Sequence, residues 1–485
     1  MKTRKHFLKI SAIALSLTLL FSSVGITALA AEKTPQGMIE ENRDFEQAHS
    51  DMLYAMFEAM LRHDDDFDIS GYGLEYSQEN LQATFDAIRG VFPEIFYLDT
   101  MQCSGYYDYN SDKWYMKDIT FVYSMNANEA AEKLTAFYAK ADEYLALVDD
   151  TMDDFTKALI LHDALALNSH YKAPNSSTYT LMVEGWGRCE CYAEAYAYLL
   201  AQVGIKSEIV SSDNMNHEWM KIRLGGDDYY YNIDLTWDDP NFSNGEHQDF
   251  ASHQFFLLSD AEIQDAKYGN DRHYGYTTNY PSTDATFDNH TNLHSQTNPF
   301  FAVNGTLYTL IEKNEKGYIA TYDYQTDSYT EMLEINDVWY DGSQYSWWPG
   351  NYSSIAAYDG LLYFNTPDAV YTYNPVTREK TLFSRYTGSD LLYGMYIRDG
   401  KVYGLAAANP NVARTSVELG EPVMNYVLGD TDGDGIVNIV DATIIQYHLA
   451  EYSLLTGKRL KAADFDKNGT VDINDVTAIQ IYINL

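Results

Sequence analysis

Three side chains suited to thiol chemistry stand at Cys189, His217 and Asp234. A cysteine is nucleophilic as its thiolate; a neighbouring imidazole can take the proton, and a carboxylate can fix that imidazole. The segment Gly187-Arg188-Cys189-Glu190-Cys191-Tyr192 opens a stretch that reads as a helix to about Val203, ending at Gly204. A cysteine in the first turn of a helix faces unpaired N–H groups and the positive end of the helix dipole. Both favour the thiolate.

The elements that must position these groups are also legible. His217 to Leu224 reads as a strand, Gly225-Gly226-Asp227-Asp228 as a turn, and Tyr229 to Leu235 as the returning strand. A symmetric hairpin pairs Leu224 with Tyr229 and puts His217 opposite Thr236, so that Asp234 is a diagonal neighbour on the same face. A slip of one residue would put His217 and Asp234 on opposite faces. His162 reads as a packed helix residue, and Asp238 and Asp239 as shaping the turn before Pro240.

The runs GRCECYAEA, HEW and DLTWDDP, with ILHDAL and SSTYTLMVEG upstream, resemble the bacterial transglutaminase-like superfamily of papain-type fold over residues 155–260. The resemblance implies Cys189 as nucleophile, His217 as general base and acid, and Asp234 as the orienting carboxylate, with the Cys189 N–H as one donor of an oxyanion hole and Tyr179 the candidate for a second. It implies no cofactor for catalysis. Cys191 stands where that family often has glycine, which leaves open a strained Cys189–Cys191 disulfide. A disulfide needs Cα atoms about 4.4–6.8 Å apart, which residues two apart meet only outside regular helix.

A second chemistry is written near the end. Asp430, Asp432, Asp434, Asn438 and Asp441 fall at positions 1, 3, 5, 9 and 12 of a twelve-residue loop, with the Ile436 carbonyl at position 7. The pattern recurs 34 residues on with Asp464, Asp466, Asn468, the Thr470 carbonyl, Asp472 and Asp475. Calcium takes six to eight oxygens, and each loop supplies that set from one turn. Position 12 is Asp rather than the Glu of an ordinary EF-hand, and no amphipathic helix enters the first loop. Duplicated loop-then-helix units resemble the type I dockerin family over residues 429–485. The resemblance implies two bound Ca2+ ions and a cohesin module of a scaffoldin as partner. Ile439-Val440 and Ile473-Asn474, at loop positions 10 and 11, leave the particular cohesin open.

Residues 1–30 read as a secretory signal peptide: Lys2, Arg4, Lys5 and Lys9, an apolar run from Ile10 to Phe21, then Ala28-Leu29-Ala30. The run falls short of the roughly 20 residues that span a bilayer. The expectation is a secreted, extracellular chain held to a scaffold or cell surface through cohesin, with no membrane span after cleavage. A net charge of −39 repels phosphate and argues against nucleic acid and anionic membranes. Three cysteines are too few for a disulfide scaffold, and an odd number leaves at least one thiol free.

The expected architecture is multidomain α+β. An N-terminal α/β extension covers 32–150, with helices at 38–62, 78–90 and 127–145 and a strand at 117–124. The transglutaminase-like domain follows at 151–285. Residues 290–420 form a β-repeat region, where Asn304-Gly305, Asp359-Gly360 and Asp399-Gly400 mark tight hairpins. These units resemble propeller blades, but three are fewer than a closed propeller needs, and an open array or sandwich fits as well. The dockerin occupies 425–485. The implied activity is acyl transfer on protein or peptide amides, hydrolytic or crosslinking; an inert binding module is the alternative. No paired-carboxylate signature marks a carbohydrate hydrolase.

Overall fold

The computed structural model describes residues 38–40, 43–225, 229–239, 248–314, 316–340, 346–347, 352–423, 427–433, 436–450, 452–455 and 457–484. The expected signal peptide, Asp434, Gly435 and Pro240 lie outside them. Among the described residues the first elements are strand β1 (Ile39–Glu40) and helix α1 (Arg43–Leu61), then β2 (Asp66–Asp68), α2 (Gln78–Val91), β3 (Leu98–Asp108), β4 (Lys113–Tyr123) and α3 (Ala127–Leu145). The helix expected from residue 38 therefore starts five residues later. Ile39 and Glu40 instead lie parallel to Ser207 and Glu208, where they cover the edge of a sheet.

Three helices and a three-stranded meander build the thiol region: α4 (Asp154–Asn168), α5 (Thr178–Glu184), α6 (Cys189–Gln202), β5 (Ser207–Ser212), β6 (His217–Arg223) and β7 (Tyr230–Ile233). The one-turn helix α7 (Leu235–Asp238), strand β8 (Phe256–Leu258), and short helices α8 (Asp260–Ile263) and α9 (Thr291–His294) follow. The sheet order is β1-β5-β6-β7-β8. Local chemistry sets the helix ends. Asp153 accepts from Thr156 N at the start of α4, Ser177 and Thr180 form a capping box on α5, and Gly185 and Gly204 end α5 and α6 at φ 76° and 80°. Helix α6 is buried from Cys191 to Ala201. One apolar core runs from Ile39 through these helices to Leu307 and Tyr322.

The β-repeat region holds three antiparallel meanders. The first contains β9 (Phe301–Val303), β10 (Thr306–Lys313), β11 (Lys316–Asp323) and β12 (Ser328–Ile335). A two-strand ribbon, β13 (Trp339–Tyr340) and β14 (Ser346–Trp347), precedes the second, β15 (Ile355–Tyr358), β16 (Leu361–Asn365), β17 (Ala369–Asn374) and β18 (Glu379–Arg385). The third is β19 (Leu391–Arg398), β20 (Lys401–Ala407) and β21 (Thr415–Gly420). Each anticipated Asn-Gly or Asp-Gly pair sits in a two-residue turn with both φ positive: 50° and 73°, 49° and 78°, 49° and 68°. That is the geometry whose twist matches a hairpin. Among the described residues each sheet is open. The region is bonded to the thiol core: Phe300 N donates to Asp163 Oδ2 at 2.6 Å, and Arg398 Nη2 to the Leu167 carbonyl at 2.7 Å.

The tail holds α10 (Ile439–Leu449), α11 (Gly457–Ala463) and α12 (Ile473–Tyr482) around Ala442, Ile445, Leu455, Ala463, Val476 and Ile479. Among the described residues, no helix is long and apolar enough to cross a membrane.

Candidate active site and calcium loops

Cys189 is the first residue of α6, half-buried, and no side chain caps that helix: Arg188 turns its guanidinium onto Glu190 instead. His217 is the first residue of β6 and is 8% exposed. Its partner strand pairs Met220 with Ile233 and Arg223 with Tyr230, the register of the symmetric hairpin. The chain leaves the strand at Ile233, so Thr236 lies in α7, and Asp234 becomes the N-cap of that turn. Asp234 Oδ1 accepts from Trp237 N at 3.2 Å, and its Oδ2 accepts from His217 Nε2 at 2.5 Å. The Cys189 sulfur is near enough to His217 to favour the ring's positive charge. Trp237 stacks on His217 at 4.7 Å with 11° between the planes, which fixes the imidazole's orientation.

The electrostatics follow from these contacts. Burial works against a charged His217, but the Asp234 carboxylate and the Cys189 sulfur outweigh it and push the imidazole up to about 10. Burial likewise opposes the Asp234 charge, yet His217 and its hydrogen bond hold that carboxyl well below the usual range. Behind the thiol, burial and neighbouring Glu194 and Glu190 push Glu218 up to about 7, opposed by Arg89 from α2. Cys191 is fully buried and free, and burial pushes its thiol up to about 12. Neither cysteine is in a disulfide. The Cys191 side chain lies against Gly187: a Cβ on Gly187 would sit 2.8 Å from Cys191 Cβ.

A cleft of about 580 Å3 opens on the site, lined by Tyr171, His217, Trp237, Asp239, Phe250 and Asp271 among others. Tyr171 is the tyrosine on this wall. Tyr179, the candidate oxyanion donor, packs against Phe96 at 5.1 Å with Lys133 over its ring. Asp239 accepts from Tyr192 OH at 2.6 Å. A larger cavity of about 710 Å3, lined by Asn298, Tyr329, Ser354 and Arg414, shares Phe250 and Thr297 with the cleft.

Two buried His–Asp–His groups were not anticipated. In the first, Asp234 Oδ2 also accepts from His273 Nε2 at 2.8 Å. In the second, Asp163 Oδ1 bridges His162 Nδ1 at 2.8 Å and His253 Nε2 at 2.9 Å. His162 Nε2 reaches Asp238 Oδ2 at 3.3 Å, and Asp238 also accepts from Phe255 N. His162 and Asp238 are thus packed, turn-shaping residues in one network that ends on the Gln296 carbonyl and Phe300 N. Both groups are metal-ligand sets by residue type. Their donor atoms are instead engaged with one another as hydrogen bonds.

The tail's acidic residues converge in the same way twice. Asp430, Asp432 and Asp441 come together, as do Asp464, Asp466 and Asp475. The position-12 carboxylates are held from within each loop: Asp441 accepts from Thr431 N and Asn438 N, and Asp475 from Asp466 N and Asp472 N. Asn438 and Asp472 cap the following helices in capping boxes. Gly469 at position 6 has φ 89°, and position 4 is left-handed in both copies, at Gly433 (81°) and Lys467 (59°). Residues 428–484 match the family described as the type I dockerin domain. This stretch is a type I dockerin.

Outside the dockerin the comparisons add little. A solved structure from Cytophaga hutchinsonii, described as a candidate cysteine protease, is similar at 13% identity and a TM-score of 0.18. The match covers 28% of this chain and 62% of that one, and at such a score it decides nothing about fold or chemistry. No curated protein matches the chain. Dockerins of this type bind calcium, and the loops fit the ion. The donors are all oxygens, and Asp464 Oδ1 is buried with no hydrogen-bond partner. Asp430, Asp432, Asn438 and Asp441, with the Ile436 carbonyl, would hold one ion. Asp464, Asp466, Asn468, Asp472 and Asp475, with the Thr470 carbonyl, would hold the other. Bound calcium would screen mutually repelling carboxylates within each loop.

Proposed function

We propose that the protein is a scaffold-docked, cysteine-dependent acyl-transfer enzyme that cleaves amide bonds of proteins or peptides. The observation that carries this reading is the 2.5 Å His217–Asp234 bond, with the Cys189 thiol at an uncapped helix N-terminus. Cys189 passes its proton to His217, and the sulfur attacks the substrate carbonyl carbon. The oxyanion faces the Cys189 N–H at the start of α6. His217 returns the proton to the leaving amine, and a thioester remains on Cys189. A water molecule deprotonated by His217 then releases the acid and restores the thiol. The polar cavity that continues from the cleft along the β-repeat region supports an extended polypeptide as substrate.

Asp239 and Asp271 on the cleft wall favour a second reading, in which a lysine amine replaces water and the product is a crosslink. The dockerin carries the enzyme to a cohesin of an extracellular scaffoldin, with Ile439, Tyr447, Tyr452 and Ile481 among its exposed apolar side chains. Incubation of the calcium-loaded protein with casein and a fluorescent amine separates the readings. Casein fragments that vanish in Cys189→Ala support hydrolysis. Amine incorporation without fragments supports crosslinking, and neither product sinks both.

A further inference from the structure

The Asp234 carboxylate serves two imidazoles, and the second belongs to none of the roles above. His273 is fully buried, 39 residues beyond Asp234, and its backbone N–H is held by the Ile263 carbonyl at 3.0 Å. Its Nε2 points at the same Oδ2 atom that accepts from His217. Trp219, Trp237 and Phe255 wall the ring, with centroids at 4.5, 4.3 and 5.8 Å, and two titratable side chains, His217 and Asp234, face it. Nδ1 of His273 is buried with no hydrogen-bond partner. A proton on Nδ1 would meet no acceptor, so the ring donates from Nε2 and faces aromatic carbon on the other side.

We infer that His273 is a positioning residue for the thiol site. It acts through Asp234, and its role in catalysis rests on the function proposed above. Two effects follow from the shared oxygen. The second donor holds the carboxylate against rotation, which keeps Oδ2 aimed at His217. It also takes part of the negative charge on Oδ2, which moderates Asp234's pull on the His217 proton. Loss of this donor leaves the carboxylate freer to turn and more basic, so His217 keeps its proton to higher pH.

The test uses the full calcium-loaded chain as wild type, His273→Phe and His273→Gln. Phenylalanine fills the aromatic box without a donor; glutamine restores an N–H. Two readouts are taken: the pH at which His217 loses its proton, by NMR of labelled histidine, and the rate of Cys189 alkylation by iodoacetamide across pH. The expected result for His273→Phe is a His217 titration about one pH unit higher, the worth of one hydrogen bond to a charge. Cys189 labelling falls about tenfold at neutral pH, from lost alignment, and glutamine restores most of both. An unchanged His217 titration in His273→Phe overturns the inference, as does a glutamine variant no better than phenylalanine. A wild-type Cys189 that alkylates no faster than an ordinary thiol sinks the proposed function instead, and the His217 titration still decides the role of His273.

Discussion

The dockerin and the thiol site solve one problem, the gathering of polar groups at a point, at opposite ranges along the chain. Each dockerin loop gathers its carboxylates from twelve consecutive residues, and its closing carboxylate is held by N–H groups of the same loop. The thiol site takes Cys189 from a helix, His217 from a strand, Asp234 from a turn and His273 from a later loop. The first needs an ion to offset its own charge; the second offsets its charge with imidazoles, inside a packed core. A local site can be undone by removal of one ion, whereas a distributed one fails only with the packing around it.

The sharpest way to break this contrast is removal of calcium. Chelation with EDTA is expected to unfold residues 428–484, because an oxygen cage formed on the ion contributes folding free energy. The helical circular dichroism of the tail and its resistance to protease would be lost, while Cys189 keeps its alkylation rate. Loss of thiol reactivity along with the tail would mean that the two regions are coupled. Next in size is Asp163→Asn. It weakens the carboxylate that bridges His162, His253 and Phe300 N, and about 3 kcal/mol of stability should go with it. The unfolding midpoint in urea would fall, and the His217 titration would stay in place.

How much of this was legible in the sequence follows the same division. The two acidic clusters of the tail could be read from spacing alone, because loop chemistry is local. The helix at 127–145 and the Asn-Gly and Asp-Gly turns were legible for that reason too, since a cap or a positive φ is decided by one or two residues. The His217–Asp234 contact was reached through the hairpin register, one step of non-local inference that the symmetric turn made possible. His273 and His253 carried no such signal. Each lies in a segment without strand or helix period, and its partner is fixed only by how that segment folds back over the sheet. The pairing of Ile39–Glu40 with β5 was hidden likewise, since the apolar pattern of 38–62 suits a helix.

A smaller effect separates the buried carboxyls from the exposed ones. Glu218 is raised from 4.5 to about 7, so its protonated form favours the folded state. That stability is present below pH 4.5 and is lost as pH rises through 7. Glu218→Gln should flatten this fall, with about 1–2 kcal/mol gained at pH 8 relative to wild type. Melting temperatures at pH 5 and pH 8 would check the sign, and an equal shift at both would contradict it. His217 adds a fall of the same sign at higher pH, since its stabilising charge is lost as pH rises toward 10. The smallest effect belongs to Gly305→Ala. Nothing lies within 4 Å of the added methyl, so only the strain at φ 73° is felt, about 1 kcal/mol. A loss much larger than this in a urea titration would mean that the turn makes contacts beyond its own backbone.

Whether Cys189 is an activated nucleophile is decided by intact-mass alkylation of the calcium-loaded protein at pH 6, where ordinary thiols react slowly. One rapid label is expected, which disappears in Cys189→Ala and persists in Cys191→Ala. Slow labelling of Cys189 at the rate of Cys103, or a rapid label that survives Cys189→Ala, would contradict it.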